Sequence, residues 1–110
     1  RKRVYGRAVR RTPGKMNGWE SRYAFFLEQQ LRAGKIQSYR FDCLKLRLAP
    51  KTFYDTDFLV IAENGDVEIH EVKGHWEDDA KVKVKVAADM FPFRFKAIKL
   101  VNGLWKYEEF

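Results

Sequence analysis

YDTDFLVIAENGDVEIHEVKG, residues 54–74, places an apolar run on each side of Asn64-Gly65. Each run reads as a β-strand and the Asn-Gly pair as the turn of a hairpin, with strands expected over 52–62 and 66–73. A two-residue loop would set Leu59 against His70 and Ile61 against Glu68. A three-residue loop, Glu63-Asn64-Gly65 with Gly65 in the left-handed region, sets Ile61 against Val67 and Leu59 against Ile69. A slip of one residue turns every side chain to the other face, so the apolar pattern selects the second register.

That register sets Asp57 directly opposite Glu71, with their Cβ atoms about 4.5–5.5 Å apart, and Lys73 projects from the same face. Opposed like charges destabilise a strand pair, so something must offset them. Lys73 alone would give a salt-bridged cluster at the end of the sheet. A divalent cation would offset them further: Mg²⁺ takes carboxylate oxygens at about 2.0–2.1 Å and keeps several waters. Such an ion can polarise a phosphoryl oxygen and lower the pKa of a bound water. A neighbouring ammonium can stabilise charge that develops in a transition state.

Around this hairpin the chain reads as follows. RKRVYGRAVRR opens it with six basic residues, Arg1, Lys2, Arg3, Arg7, Arg10 and Arg11, and few core formers. It is a basic arm, either a solubilising tail or a nucleic-acid contact. With the turn-rich TPGKMNG it makes up residues 1–17, and a single domain is expected over 18–110. Trp19, Tyr23, Phe26, Leu27 and Leu31 recur at helical spacing, and Gly34 is a natural stop. Glu20 falls in the first turn of that helix, where a carboxylate suits the dipole. A strand is expected over 39–49, bulged near Cys43 where the parity of the apolar residues shifts. KVKVKV alternates like a strand, but the acids at 77–79, the face formed by Ala80, Val84, Ala87 and Ala88, and Pro92 beyond favour a helix over 77–90. FRFKAIKLV, the Asn102-Gly103 turn and LWKYEEF complete two further strands.

The chain has 110 residues, 34% of them charged, a net charge of +7 and a pI of about 9.6. This charge suits a polyanionic partner, most simply nucleic acid. No apolar run is long enough to span a membrane and no signal-peptide pattern is seen, so no membrane association is expected. Cys43 is the one cysteine, which excludes a disulfide framework and points to the reducing cytoplasm. Its apolar neighbours suggest a buried structural thiol. One Cys and two His cannot build a zinc cluster.

TDF with Asp57, followed across a hairpin by EVK with Glu71 and Lys73, resembles the PD-(D/E)xK nuclease superfamily, the restriction-endonuclease-like fold that includes Holliday junction resolvases. The order of elements over residues 18–101 resembles that superfamily's αβββαβ core: a mixed central sheet flanked by helices, here with an extra C-terminal strand. Glu20, Tyr54 and EVKG at 71–74 are most similar to small phage-encoded members, which would place the protein in the host cytoplasm. Thr56 stands where the motif has proline, a residue that shapes the backbone and is not a ligand. The resemblance implies Asp57 and Glu71 as metal ligands, Lys73 as the catalytic lysine, the Val72 carbonyl as a further ligand, and Glu20 as an acid that binds or orients the metal. It implies Mg²⁺, with Mn²⁺ able to substitute, and no small-molecule cofactor. Lys81, Lys83 and Lys85, on the helix after the site, would face nucleic acid. Asp55 shares the strand parity of Asp57 and is a candidate further acid. His75 could approach phosphate, whereas His70 belongs to the opposite face and Trp76 to the core.

The expected function is therefore a Mg²⁺-dependent DNA endonuclease, structure-selective for branched or junction DNA in phage recombination, repair or processing. A small basic chain lacks additional elements for reading base edges. Cutting two related strands would call for a two-fold homodimer. The alternative is a non-catalytic nucleic-acid-binding module that retains the nuclease fold; it would be expected to have lost part of the acid–lysine set.

Overall fold

The structure, a computed structural model, describes residues 14–76 and 78–110. Helix α1 spans Gly18–Arg32 and is followed by five strands, β1 Ile36–Phe41, β2 Lys45–Ala49, β3 Thr52–Asp55, β4 Phe58–Ala62 and β5 Val67–Val72. Helix α2, Asp78–Met90, leads to β6, Arg94–Val101, and β7, Leu104–Glu109. The main sheet runs β1-β4-β5-β6-β7, and β2 pairs with β3 in a small second sheet. Among the described residues only the β5–β6 pair is parallel, so they form an α/β fold with a mixed five-stranded sheet and two helices. Parallel neighbours need a long crossover, and α2 provides it. This is why KVKVKV lies in a helix despite its alternation. Among the described residues, no helix is long and apolar enough to cross a membrane.

Helix α1 is capped at both ends by its own sequence. Asn17 Oδ1 accepts the Glu20 N–H at 2.8 Å and Glu20 Oε1 accepts the Asn17 N–H at 2.9 Å, a complete capping box. At the other end Gly34, at φ 75°, closes a Schellman motif: Gly34 N–H donates to Leu31 O and Lys35 N–H to Gln30 O.

The β4–β5 register is the expected one, with Leu59 paired to Ile69 and Ile61 to Val67. Ala62 N–H reaches Asp66 O, Gly65 N–H reaches Ala62 O, and Gly65 has φ 93°. The hairpin carries buried residues on both of its faces. Phe58 and Val60, on the opposite face from Leu59 and Ile61, are wholly buried, and Ile69 is wholly buried too. Both faces are covered: Phe58, Val60, Val72 and Ile98 pack beneath Tyr23 and Leu27 of α1, while Ile69 and Phe95 pack beneath Val84 and Ala87 of α2. Truncating a buried aromatic such as Phe58 to alanine should cost about 3–5 kcal/mol.

The strands expected over 39–49 and 52–62 are each divided. Phe41 pairs with Phe58 and Lys45 with Asp55, so three residues on one arm, Asp42, Cys43 and Leu44, face two on the other, Thr56 and Asp57. The extra residue is the bulge expected near Cys43, and it ends the strand rather than merely bending it. Asp42 is left-handed at φ 53°, and its N–H donates to Asp57 O at 2.8 Å. Thr56 N–H and Oγ1–H both donate to Leu44 O, at 3.1 and 2.9 Å. The long hairpin thus turns a corner, and β2–β3 folds against α2. Cys43 sits on the outside of that corner and is exposed, not buried as its apolar neighbours suggested.

Candidate active site

The corner creates the site. The alternating ladder between β4 and β5, continued one pair past Phe58–His70, gives Asp57–Glu71, and one more gives Thr56–Val72. The last pair does not form, because Thr56 N–H has turned to Leu44 O. Val72 N–H donates instead to Asp57 Oδ2 at 2.9 Å. The Val72 carbonyl leaves the strand on the same side as its N–H, so it too faces Asp57, and its ladder donor has been taken elsewhere. The sequence carried a signal for this in Thr56, whose hydroxyl and N–H hold the corner, but its reading as a substitute for proline gave it no such role.

Asp57 and Glu71 are both buried, at 3% and 5% exposure. Glu71 Oε1 accepts the Tyr54 hydroxyl at 2.6 Å and the Asp57 N–H at 3.3 Å. Its other oxygen, Oε2, faces Lys73 Nζ at 3.5 Å. Tyr54, buried on β3, thus orients Glu71 from the second sheet. Burial, followed by the negative charge of Glu71, pushes the Asp57 carboxyl well above the usual range. Burial raises Glu71 as well, against the opposing pull of Lys73 and the Tyr54 hydrogen bond. For Lys73, burial alone would lower the ammonium, but Glu71, Asp57 and Glu20 outweigh it and raise it.

Glu20 joins the set from α1. It is 2% exposed, and its charge acts on both Asp57 and Lys73. The capping box that starts the helix is also what aims this acid at the sheet. The start of α1 is seated on the loop after β5, where a side chain at Gly74 would overlap the Trp19 indole.

The donor set is all oxygen: two carboxylates and a main-chain carbonyl, which suits a Mg²⁺ ion that keeps several waters. Among the described residues, no group of three or more His, Cys, Asp or Glu side chains is arranged to hold a metal ion, so main chain and water would have to complete the shell. No family model, curated protein or solved structure matches this chain.

Other expected site residues are placed elsewhere. Asp55 lies across the corner on β3, with Oδ1 3.7 Å from Lys45 Nζ. Lys81 and Lys83 fall on different sides of α2: Lys81 Nζ is 3.3 Å from Glu108 of β7, and Lys83 Nζ donates to Phe53 O of β3 at 3.1 Å. Lys85 is exposed. At about 100° per residue the three cannot share one face. His75 is exposed just past the acid set, and Trp76 Nε1–H donates to Ile98 O at 3.2 Å within the core. Arg1, Lys2, Arg3, Arg7, Arg10 and Arg11 lie outside the described residues, as does Glu77.

On the opposite face of β5 is a buried polar chain that sequence reading missed. The Tyr23 hydroxyl is 2.6 Å from His70 Nδ1, His70 Nε2 is 2.8 Å from Glu68 Oε1, and Lys96 Nζ is 3.2 Å from the same oxygen. The hydrogen bonds fit a neutral imidazole that carries its proton on Nε2, with the tyrosine as donor to Nδ1. Burial lowers His70, consistent with that neutral form.

Proposed function

We propose that the protein is a divalent-metal-dependent DNA endonuclease of restriction-endonuclease-like fold, similar to the PD-(D/E)xK nucleases and selective for DNA structure rather than sequence. The observation that carries this reading is the meeting of Asp57, Glu71 and Lys73 at a corner where Asp57 Oδ2 accepts the Val72 N–H. Asp57, Glu71 and the Val72 carbonyl would hold Mg²⁺ or Mn²⁺, with Glu20 behind them as a further negative charge. The cation would polarise a phosphodiester oxygen and lower the pKa of a water.

The chain's own groups account for the rest. Tyr54 and the Asp57 N–H hold one oxygen of Glu71, which fixes the carboxylate's direction. The Lys73 side chain is 40% exposed while paired to Glu71, so its ammonium can reach a phosphate from a defined position. It would stabilise the extra negative charge of the transition state. A net charge of +7 favours encounter with a polyanion.

The alternative, a nucleic-acid-binding module without catalysis, has no use for two carboxylates opposed in a buried site. Incubation with Mg²⁺ and labelled linear, nicked, flapped and four-way-junction DNA tests the proposal. Metal-dependent cleavage of at least one substrate is expected, and binding without cleavage of any would favour the module.

A further inference from the structure

We infer that Trp19 is a stacking platform for an unpaired base next to the scissile phosphate, so that the site takes strands with single-stranded or frayed segments in preference to continuous duplex. The inference rests on the nuclease reading and narrows its substrate class.

Trp19 precedes Glu20 in the first turn of α1, is 36% exposed, and packs beside Gly74, the residue after Lys73. Its indole is held in place. Gly74, next to Lys73, has no space for a Cβ because Trp19 Nε1 and Cε2 occupy it, so the ring and the lysine are fixed to the same short loop. The guanidinium carbon of Arg22 lies 5.3 Å from the ring centroid. An indole with a cation over it and part of its surface open joins the two elements of single-strand recognition: an aromatic for the base and a positive charge for the backbone. The other two tryptophans are half-buried and pack against the core. Phe25 is more exposed, at 66%, but it is Trp19 whose ring occupies the space beside Gly74.

Bases within a duplex have both faces covered by their neighbours. Only an unpaired or terminal base can offer a face to Trp19, and stacking of this kind is worth roughly tenfold or more in affinity. A platform beside the catalytic lysine would therefore favour a flap, branch or fray over uninterrupted duplex.

Two measurements test this on the full chain. The first is tryptophan emission titrated with an oligothymidylate in EDTA, where no cleavage occurs. Wild-type emission should be quenched, and Trp19→Phe, which keeps Trp76 and Trp105, should lose the quench. The second is cleavage in Mg²⁺ of a flapped substrate against a blunt duplex. Trp19→Ala should reduce the flap preference about tenfold, and Trp19→Phe should keep most of it. A quench that persists in Trp19→Phe would overturn the inference. So would an equal loss on both substrates in Trp19→Ala, because the ring would then only prop the Gly74 loop. Wild-type protein that is quenched through Trp19 but cleaves nothing would support the stacking platform while overturning the nuclease reading.

Discussion

Asp57 Oδ2 accepts the Val72 N–H at 2.9 Å, in the place that Thr56 would fill if β4 ran on straight. A side chain does a ladder carbonyl's work, and the same exchange brings its carboxylate up to Glu71. Asp57→Asn keeps an oxygen for Val72 and removes the charge. In EDTA it should melt somewhat above wild type, since one of the two opposed charges is gone, and with metal it should cleave at least about a hundredfold more slowly. Asp57→Ala should also be less stable, since an unsatisfied buried N–H costs about 1–3 kcal/mol. Single-turnover cleavage with parallel melts separates the two variants; wild-type rates from Asp57→Asn would remove it from the chemistry.

Glu20 has two roles that substitution can separate. Gln at the same position still completes a capping box, because its side-chain oxygen can accept the Asn17 N–H. Glu20→Gln should therefore melt near wild type, while cleavage falls about tenfold or more if its charge supports the metal. Glu20→Ala should also be less stable, because the Asn17 N–H loses its capping acceptor. Equal activity of Glu20→Gln and wild type would leave the residue as a helix cap alone.

How far these relationships were legible in the sequence varies by element. The β4–β5 register was legible because Gly65 admits the left-handed turn and only one register pairs Leu59 with Ile69. From it followed the meeting of Asp57 with Glu71 and the assignment of His70 to the other face. The corner was not, because alternation continues on both sides of Cys43; what ends the strand is one surplus residue and a left-handed Asp42, neither of which changes composition. The Tyr23–His70–Glu68 chain was hidden for another reason. It joins α1 to β5 across 47 residues, and no local pattern marks a tyrosine whose hydroxyl is satisfied inside the core.

Opposed acids should make the metal-free fold less stable than it could be. Burial raises both Asp57 and Glu71, and the charge of Glu71 raises Asp57 further. A carboxyl whose folded pKa is raised favours the fold when protonated, so its contribution is present below the unfolded pKa, about 4, and is lost as pH rises through the folded value. At neutral pH the pair therefore opposes folding until a cation neutralises it. Glu71→Gln keeps an oxygen for the Tyr54 hydroxyl and removes one charge. In EDTA at pH 7 it should melt a few degrees above wild type and gain less from millimolar Mg²⁺. If it melts lower and keeps the full metal response, the acids do not share a cation.

Glu68 should act in the opposite sense, on the acid side. The hydrogen bond from His70, aided by Lys96, holds its carboxyl down to about 2 against the burial that would raise it. A lowered folded pKa means stability that is present above the unfolded value, about 4.3, and lost as pH falls toward about 2. His70, lowered by burial, adds its own loss at milder acidity: the unfolded chain takes up a proton near pH 6.5 before the folded one does. Glu68→Gln keeps an oxygen for the His70 Nε2–H but leaves Lys96 without that charge. At neutral pH it should melt below wild type. Between about pH 4.5 and 2.5 wild type should lose stability more steeply, so that the two curves converge toward the acid end. Thermal melts across that range check it. Parallel curves would mean that Glu68 is not held ionised by His70 and Lys96, and that the chain from Tyr23 to Lys96 is packing alone.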